Sequence, residues 1–169
     1  MSEKKIESLY FKITGLWNML CKKHAILFDF TCEEYMLLLS SDIDELEKKI
    51  VKKEEVIDSI NNLEKVREQL INEINQTLPG GENKIKSISQ LIAYCHQKID
   101  SEKKENHLKK FNDLLIDIIN KIQDQNKKNQ LFLNKALSSL KEIREDVSGM
   151  KSYPLYTANG EPTAKGAIK

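Results

Sequence analysis

The sequence predicts an all-α protein, an elongated antiparallel helical hairpin or bundle of three to four long helices with a disordered C-terminal tail. Apolar residues recur at spacings of three and four over most of the 169 residues, the period of a helix with one buried stripe. All glycines and prolines but Gly15 fall either at residues 79–81 or beyond residue 148, so long stretches carry no helix breaker. Charged residues make up 31% of the chain with both signs interspersed, as solvated helix faces require. At this length one domain is expected, a helical bundle over residues 1–149 followed by a tail over 150–169.

The first helix is expected over about residues 4–39, where Ile6, Leu9, Tyr10, Ile13, Leu16, Trp17, Leu20, Leu27, Phe28, Thr31, Tyr35 and Leu38 form the stripe. Gly15 interrupts it at a cost of about 1 kcal/mol relative to alanine, which a helix this long tolerates. Asp42 with Glu45 three residues on makes a capping-box pattern that opens a second helix, about 43–78. Its apolar series Leu46, Ile50, Ile57, Ile60, Leu63, Leu70, Ile71, Ile74 and Leu78 is close to a heptad repeat, broken by Lys53, Glu64 and Arg67. Pro79, Gly80 and Gly81 end it. Ser87 and Gln90 form another capping-box pattern, which opens a third helix over about 87–100. After the polar run Asp100–Asn106, the pattern resumes in a fourth helix over about 105–148, closed by Ser148 and Gly149. The tail keeps no periodicity, but Tyr153, Pro154, Leu155 and Tyr156 make a short apolar cluster inside it, a candidate linear motif.

Composition excludes several function classes. Lys plus Arg is 27 against 26 Asp plus Glu, a net charge of +1, so neither a nucleic-acid partner nor an anionic membrane surface is expected. No run approaches the ~18 apolar residues of a membrane span. Met1–Lys5 carries both charge signs and no apolar core, so no secretory leader is read there and a cytoplasmic address is expected. Three cysteines in such a chain read as reduced apolar residues; Cys21 and Cys32, eleven residues apart on one helix, are separated by roughly 16 Å.

No catalytic or metal-binding constellation is legible, and no cofactor is expected. His24, His96 and His107 are scattered, and Cys95 points about 100° around the helix from His96, whereas helical metal ligands want a spacing of four. Gly80 and Gly81 lack the Lys-Ser/Thr context of a phosphate loop. An enzyme is therefore not expected. A thin helical bundle has much surface per core residue, so recognition through an uncovered apolar stripe is the physical expectation. Around Leu131–Val147 the apolar residues occupy more than one side of the helix, Leu133, Leu137 and Leu140 on one and Phe132, Ile143 and Val147 displaced from it. Apolar surface that wide suits a second partner.

Taken in order, these residues resemble the FlgN family of flagellar export chaperones. His24, Glu34, Leu38 and Leu39, followed by Asp42, Leu46, Lys53, Glu54, Leu63 and Arg67, look like the family's helical hairpin. Asn126 and Asn129 before Leu131, Leu133 and Leu137 are similar to its asparagine-marked final helix, and Leu155–Gly160 resembles its Tyr-x-x-x-Gly tail signature. The chain departs from the family in an extended segment around Pro79–Lys104. The resemblance implies a cytoplasmic chaperone for hook-associated proteins of the hook-filament junction, which leave the cell through the flagellar type III machine. It implies client binding by Leu131, Phe132, Leu133, Leu137, Leu140, Ile143 and Val147, and docking of Tyr156 to the cytoplasmic domain of the export gate. A homodimer is left open. The rival reading is a self-associating structural coiled coil without a client, against which the heptad breaks at Lys53, Glu64 and Arg67 weigh.

Overall fold

The computed structural model describes residues 3–77, 84–95, 97 and 107–150, and among these it contains four helices and no strand. They are α1 (Glu3–Ser40), α2 (Ile43–Thr77), α3 (Ile88–Cys95) and α4 (His107–Met150). The all-α class is as the periodicity predicts. The chain falls into two compact units, residues 1–129 and 130–169, and α4 contributes to both.

α1 runs unbroken through Gly15, where an added Cβ would meet nothing within 4 Å. Its end is built by backbone geometry. Ser41 takes φ 56°, the left-handed region, and the Ser41 amide donates to the Leu38 carbonyl at 3.3 Å while the Asp42 amide donates to Leu37 at 3.1 Å. These two bonds are the Schellman closure of a helix, with serine where glycine is the usual residue. Asp42 then caps α2, its Oδ1 accepting from the Glu45 amide at 3.2 Å. Only half of the expected capping box forms. The Asp42 amide is already held by Leu37, and Glu45 turns to Lys48 at 2.6 Å, which holds the Glu45 carboxyl below the usual range. Ser87 and Gln90 complete theirs, with Gln90 N donating to Ser87 Oγ at 3.2 Å and Gln90 Oε1 accepting from the Ser87 and Lys86 amides.

The core of the first unit lies between the N-terminal half of α1 and the C-terminal half of α2, with α3 and the start of α4 filling it. Trp17, Ile13, Leu20, Leu91 and Leu108 are fully buried there, against Ile60 and Ile74 of α2. The segment preceding α3 joins this core. Asn75 of α2 clasps the backbone of Ile85, its Nδ2 donating to the carbonyl at 3.0 Å and its Oδ1 accepting the amide at 2.8 Å. Ile85 is buried in consequence. The third helix is described as far as Cys95; residues 96 and 98–106, over which it is expected to run on to about residue 100, lie outside the described residues, as does the tail from residue 151.

Polar pins set how α1 meets the first part of α4. Trp17 Nε1 donates to Asn112 Oδ1 at 3.2 Å, Cys21 Sγ donates to the Phe111 carbonyl at 3.2 Å, and Asn129 Nδ2 donates to the Thr31 carbonyl at 3.0 Å. The register rises together on both helices, so within this unit they run parallel, with α2 as the returning member. On α2, Lys53 breaks the heptad because it meets Glu34 of α1 at 2.5 Å, both side chains largely covered, and Glu64 and Arg67 pair with each other at 2.7 Å. Lys49 of α2 pairs with Glu33 and lies over the Phe30 ring at 4.5 Å.

Two outcomes are expected in urea titrations of the full chain. Ser41→Gly raises stability by about 0.5–1 kcal/mol, because glycine relieves the left-handed strain by more than its chain entropy costs. Lys53→Ala lowers it by roughly 2–4 kcal/mol by stranding Glu34, whereas the double substitution Glu34→Leu with Lys53→Leu lies within about 1 kcal/mol of the parent.

Candidate partner-binding surface

α4 contains a column of residues spaced by seven: Leu108, Leu115, Ile122, Asn129, Ala136 and Ile143. The first four are buried, Asn129 to 3% exposure, and Leu108 and Leu115 join the core of the first unit. Ala136 is partly covered, and Ile143 is 58% exposed. The neighbouring column, four residues on, reads Asn112, Ile119, Asn126, Leu133, Leu140 and Val147. It alternates polar and apolar up to Asn126 and is wholly apolar afterwards. Two seven-spaced columns side by side are the seam of a helix built to meet another helix. Up to Asn129 the bundle covers the first column and half-buries Asn112 and Ile119 of the second, leaving Asn126 exposed. Beyond Asn129, no described residue is buried.

The second unit thus presents an open apolar face made of Leu133, Leu137, Leu140, Ile143 and Val147, with Leu137 and Leu140 each 63% exposed. At about 100° per residue these five lie within an arc of roughly 120°. Leu131, although exposed, lies about 180° from Leu140 and stands on the opposite side of the helix. Phe132, at the edge of the arc, is partly covered. Of the seven residues singled out in the sequence, five therefore share one face and two do not. Signs of both charges lie beside it: no Asp or Glu occurs from Gln125 to Lys141, after which Glu142, Glu145 and Asp146 follow. The Lys141–Glu145 pair, at 4.0 Å and exposed on both sides, contributes no more than about 0.5 kcal/mol.

Asn129 marks the border of the covered seam, and nothing in its identity alone announced that role. Its Oδ1 accepts from Gln125 Nε2 at 3.0 Å while its Nδ2 holds Thr31, so both ends of the buried amide are satisfied. Thr31 is also fully buried and returns its own hydroxyl to the Leu27 carbonyl at 2.7 Å. Asn126, by contrast, is exposed. The recurrence at seven residues through an asparagine was the available signal, since a single polar residue in such a column commonly fixes register.

Among the described residues no group of three or more His, Cys, Asp or Glu could hold a metal ion. His24 Nδ1 donates to the Leu20 carbonyl at 2.8 Å. Burial pushes the Cys21 thiol up, and burial followed by the Asp29 charge does the same for Cys32, so neither is an activated nucleophile. No described helix is long and apolar enough to cross a membrane. Tyr156 lies outside the described residues.

Residues 9–164 match the family described as FlgN protein. No curated protein and no solved structure matches the chain.

Asn129→Leu is expected to leave stability unchanged or raise it by about 1 kcal/mol, since an apolar residue replaces a paired polar one. It should nonetheless loosen register. Amide exchange at Gln125–Asn129 and near Thr31 would become heterogeneous, and an unchanged exchange pattern would show that the amide has no positioning role.

Proposed function

The chain belongs to the FlgN family of flagellar chaperones, and we propose that it binds the helical terminal regions of hook-associated proteins in the cytoplasm, prevents their premature association and delivers them to the flagellar type III export gate. The observation that carries this reading is the open continuation of the α4 seam beyond Asn129. The client face is assigned to Leu133, Leu137, Leu140, Ile143 and Val147, with Phe132 at its edge and Leu131 on the opposite side of the helix. Tyr156 in the tail is assigned to the gate.

The physics is helix-on-helix masking. A client helix with its own apolar stripe self-associates when unassembled; laying that stripe on α4 removes both from water at once. Covering five aliphatic side chains contributes on the order of 5–10 kcal/mol gross, from which the cost of association is subtracted. The bound client is held by mass action and released without a covalent step. A family of chaperones rather than enzymes fits a surface of this kind.

Leu137→Glu combined with Leu140→Glu is expected to weaken calorimetric binding to hook-associated proteins at least tenfold while shifting the melting temperature by less than about 2 °C, because both side chains are already in water in the free protein. Equal affinity of parent and variant would remove the client face from α4. Failure of the parent to bind any of these proteins, together with concentration-dependent self-association that the same variant abolishes, would favour the coiled-coil scaffold.

A further inference from the structure

A second apolar face is left open on α1, opposite its buried stripe. Phe11 is 62% and Met19 50% exposed, and Ile26 continues the same side two turns on. Gly15 sits between Phe11 and Met19, four residues from each, and is exposed with open space where a Cβ would stand. A glycine inside a helix costs about 1 kcal/mol relative to alanine, and no packing among the described residues uses the missing side chain. The result is a notch one residue wide between two apolar knobs. Between Glu7 and Asp29 the charge along it is of one sign. From Ser8 to Phe28 there is no Asp or Glu, while Lys12 and Lys22 are exposed along this face.

We propose that this face of α1 is a docking site for an acidic amphipathic helix of another protein, whose apolar side chain enters the notch at Gly15 while its carboxylates meet Lys12 and Lys22. Charge selects the occupant. A second copy of this chain joined in parallel through the same face would set lysine against lysine with no carboxylate between Ser8 and Phe28 to answer them. An anionic bilayer would answer the lysines but has no knob for the notch, and with the inner face of α1 committed to the core only the outermost side chains could enter it. A helix with glutamates flanking a leucine stripe satisfies all three features together. The proposal concerns α1 alone and does not depend on the reading of α4.

The test uses the full chain, isotope-labelled, and a synthetic amphipathic peptide of about 20 residues with leucines on one face and glutamates beside them, long enough to be helical when bound. The expected result is amide shifts centred on Phe11, Gly15 and Met19, with affinity falling as salt rises. Gly15→Leu, which fills the notch without meeting any atom of this chain, should weaken binding at least tenfold, and Lys22→Glu several-fold, both with the melting transition retained. The idea is overturned if the peptide leaves these amides unmoved, or if a peptide with every glutamate replaced by lysine binds equally well. It is equally overturned if the shifts arise only with phosphatidylglycerol vesicles, or if they appear on concentrating the protein alone, which would identify a membrane surface or a second copy as the occupant.

Discussion

An amphipathic helix is stable in water only where its apolar stripe is covered, and α4 carries a longer stripe than its bundle covers. The seven-spaced column Leu108, Leu115, Ile122 and Asn129 is buried, and the same column continues into Ala136 and Ile143. The first stretch anchors the fold, because Leu108 and Leu115 close the core around Trp17, Leu20 and Leu91. The second stretch has the same chemistry and no partner among the described residues. One helix thus anchors the fold with one part and leaves the apolar stripe of the other part open among the described residues.

A seam this regular brings a physical problem, which the polar residues answer. Leu, Ile and Ala repeated every seven residues pack nearly as well after a shift of one heptad, so hydrophobic burial alone does not fix how far α4 slides along α1. The hydrogen bonds do. Trp17 to Asn112, Cys21 to the Phe111 carbonyl and Asn129 to the Thr31 carbonyl are satisfied together in one register, and a slip would bury the Asn129 amide among apolar side chains at a cost of about 1–3 kcal/mol. The Glu34–Lys53 pair performs the same service between α1 and α2. Net stabilisation from each bond is small; the penalty for misplacing one is what confers uniqueness.

The fold was largely written in local pattern. The apolar period gave the helices, Pro79–Gly81 and the capping residues Asp42 and Ser87 gave breaks, and the four described helices follow them. What escaped were contacts between residues far apart in the chain. Lys53 reads as a flaw in a heptad until Glu34 is seen opposite it. Asn75 gives no hint that it clasps Ile85 across a segment containing Pro79, Gly80 and Gly81. Ser41 hides a left-handed turn that sequence would assign to glycine. In the last helix the richness in apolar residues was legible, but which of them share a face follows only from angle: Leu131 has the right chemistry on the wrong side, and Phe132 is partly covered.

The separation of covered from open seam also governs what each part of the chain can change. A substitution at Trp17 or Leu91 must respect a filled interior, where even a methylene is felt. At Leu137 or Leu140 the side chain already stands in water, so its replacement leaves the folded state nearly as it was and alters only what the surface can hold. The open seam is therefore free to be tuned to a partner without a loss of stability. That freedom carries a constraint of its own, since an uncovered stripe of leucines invites self-association. Lysines at positions 127, 128, 135 and 141, with no carboxylate among them, place like charge around every copy of its first half, and that repulsion opposes parallel self-pairing while leaving the face open to a helix of complementary charge.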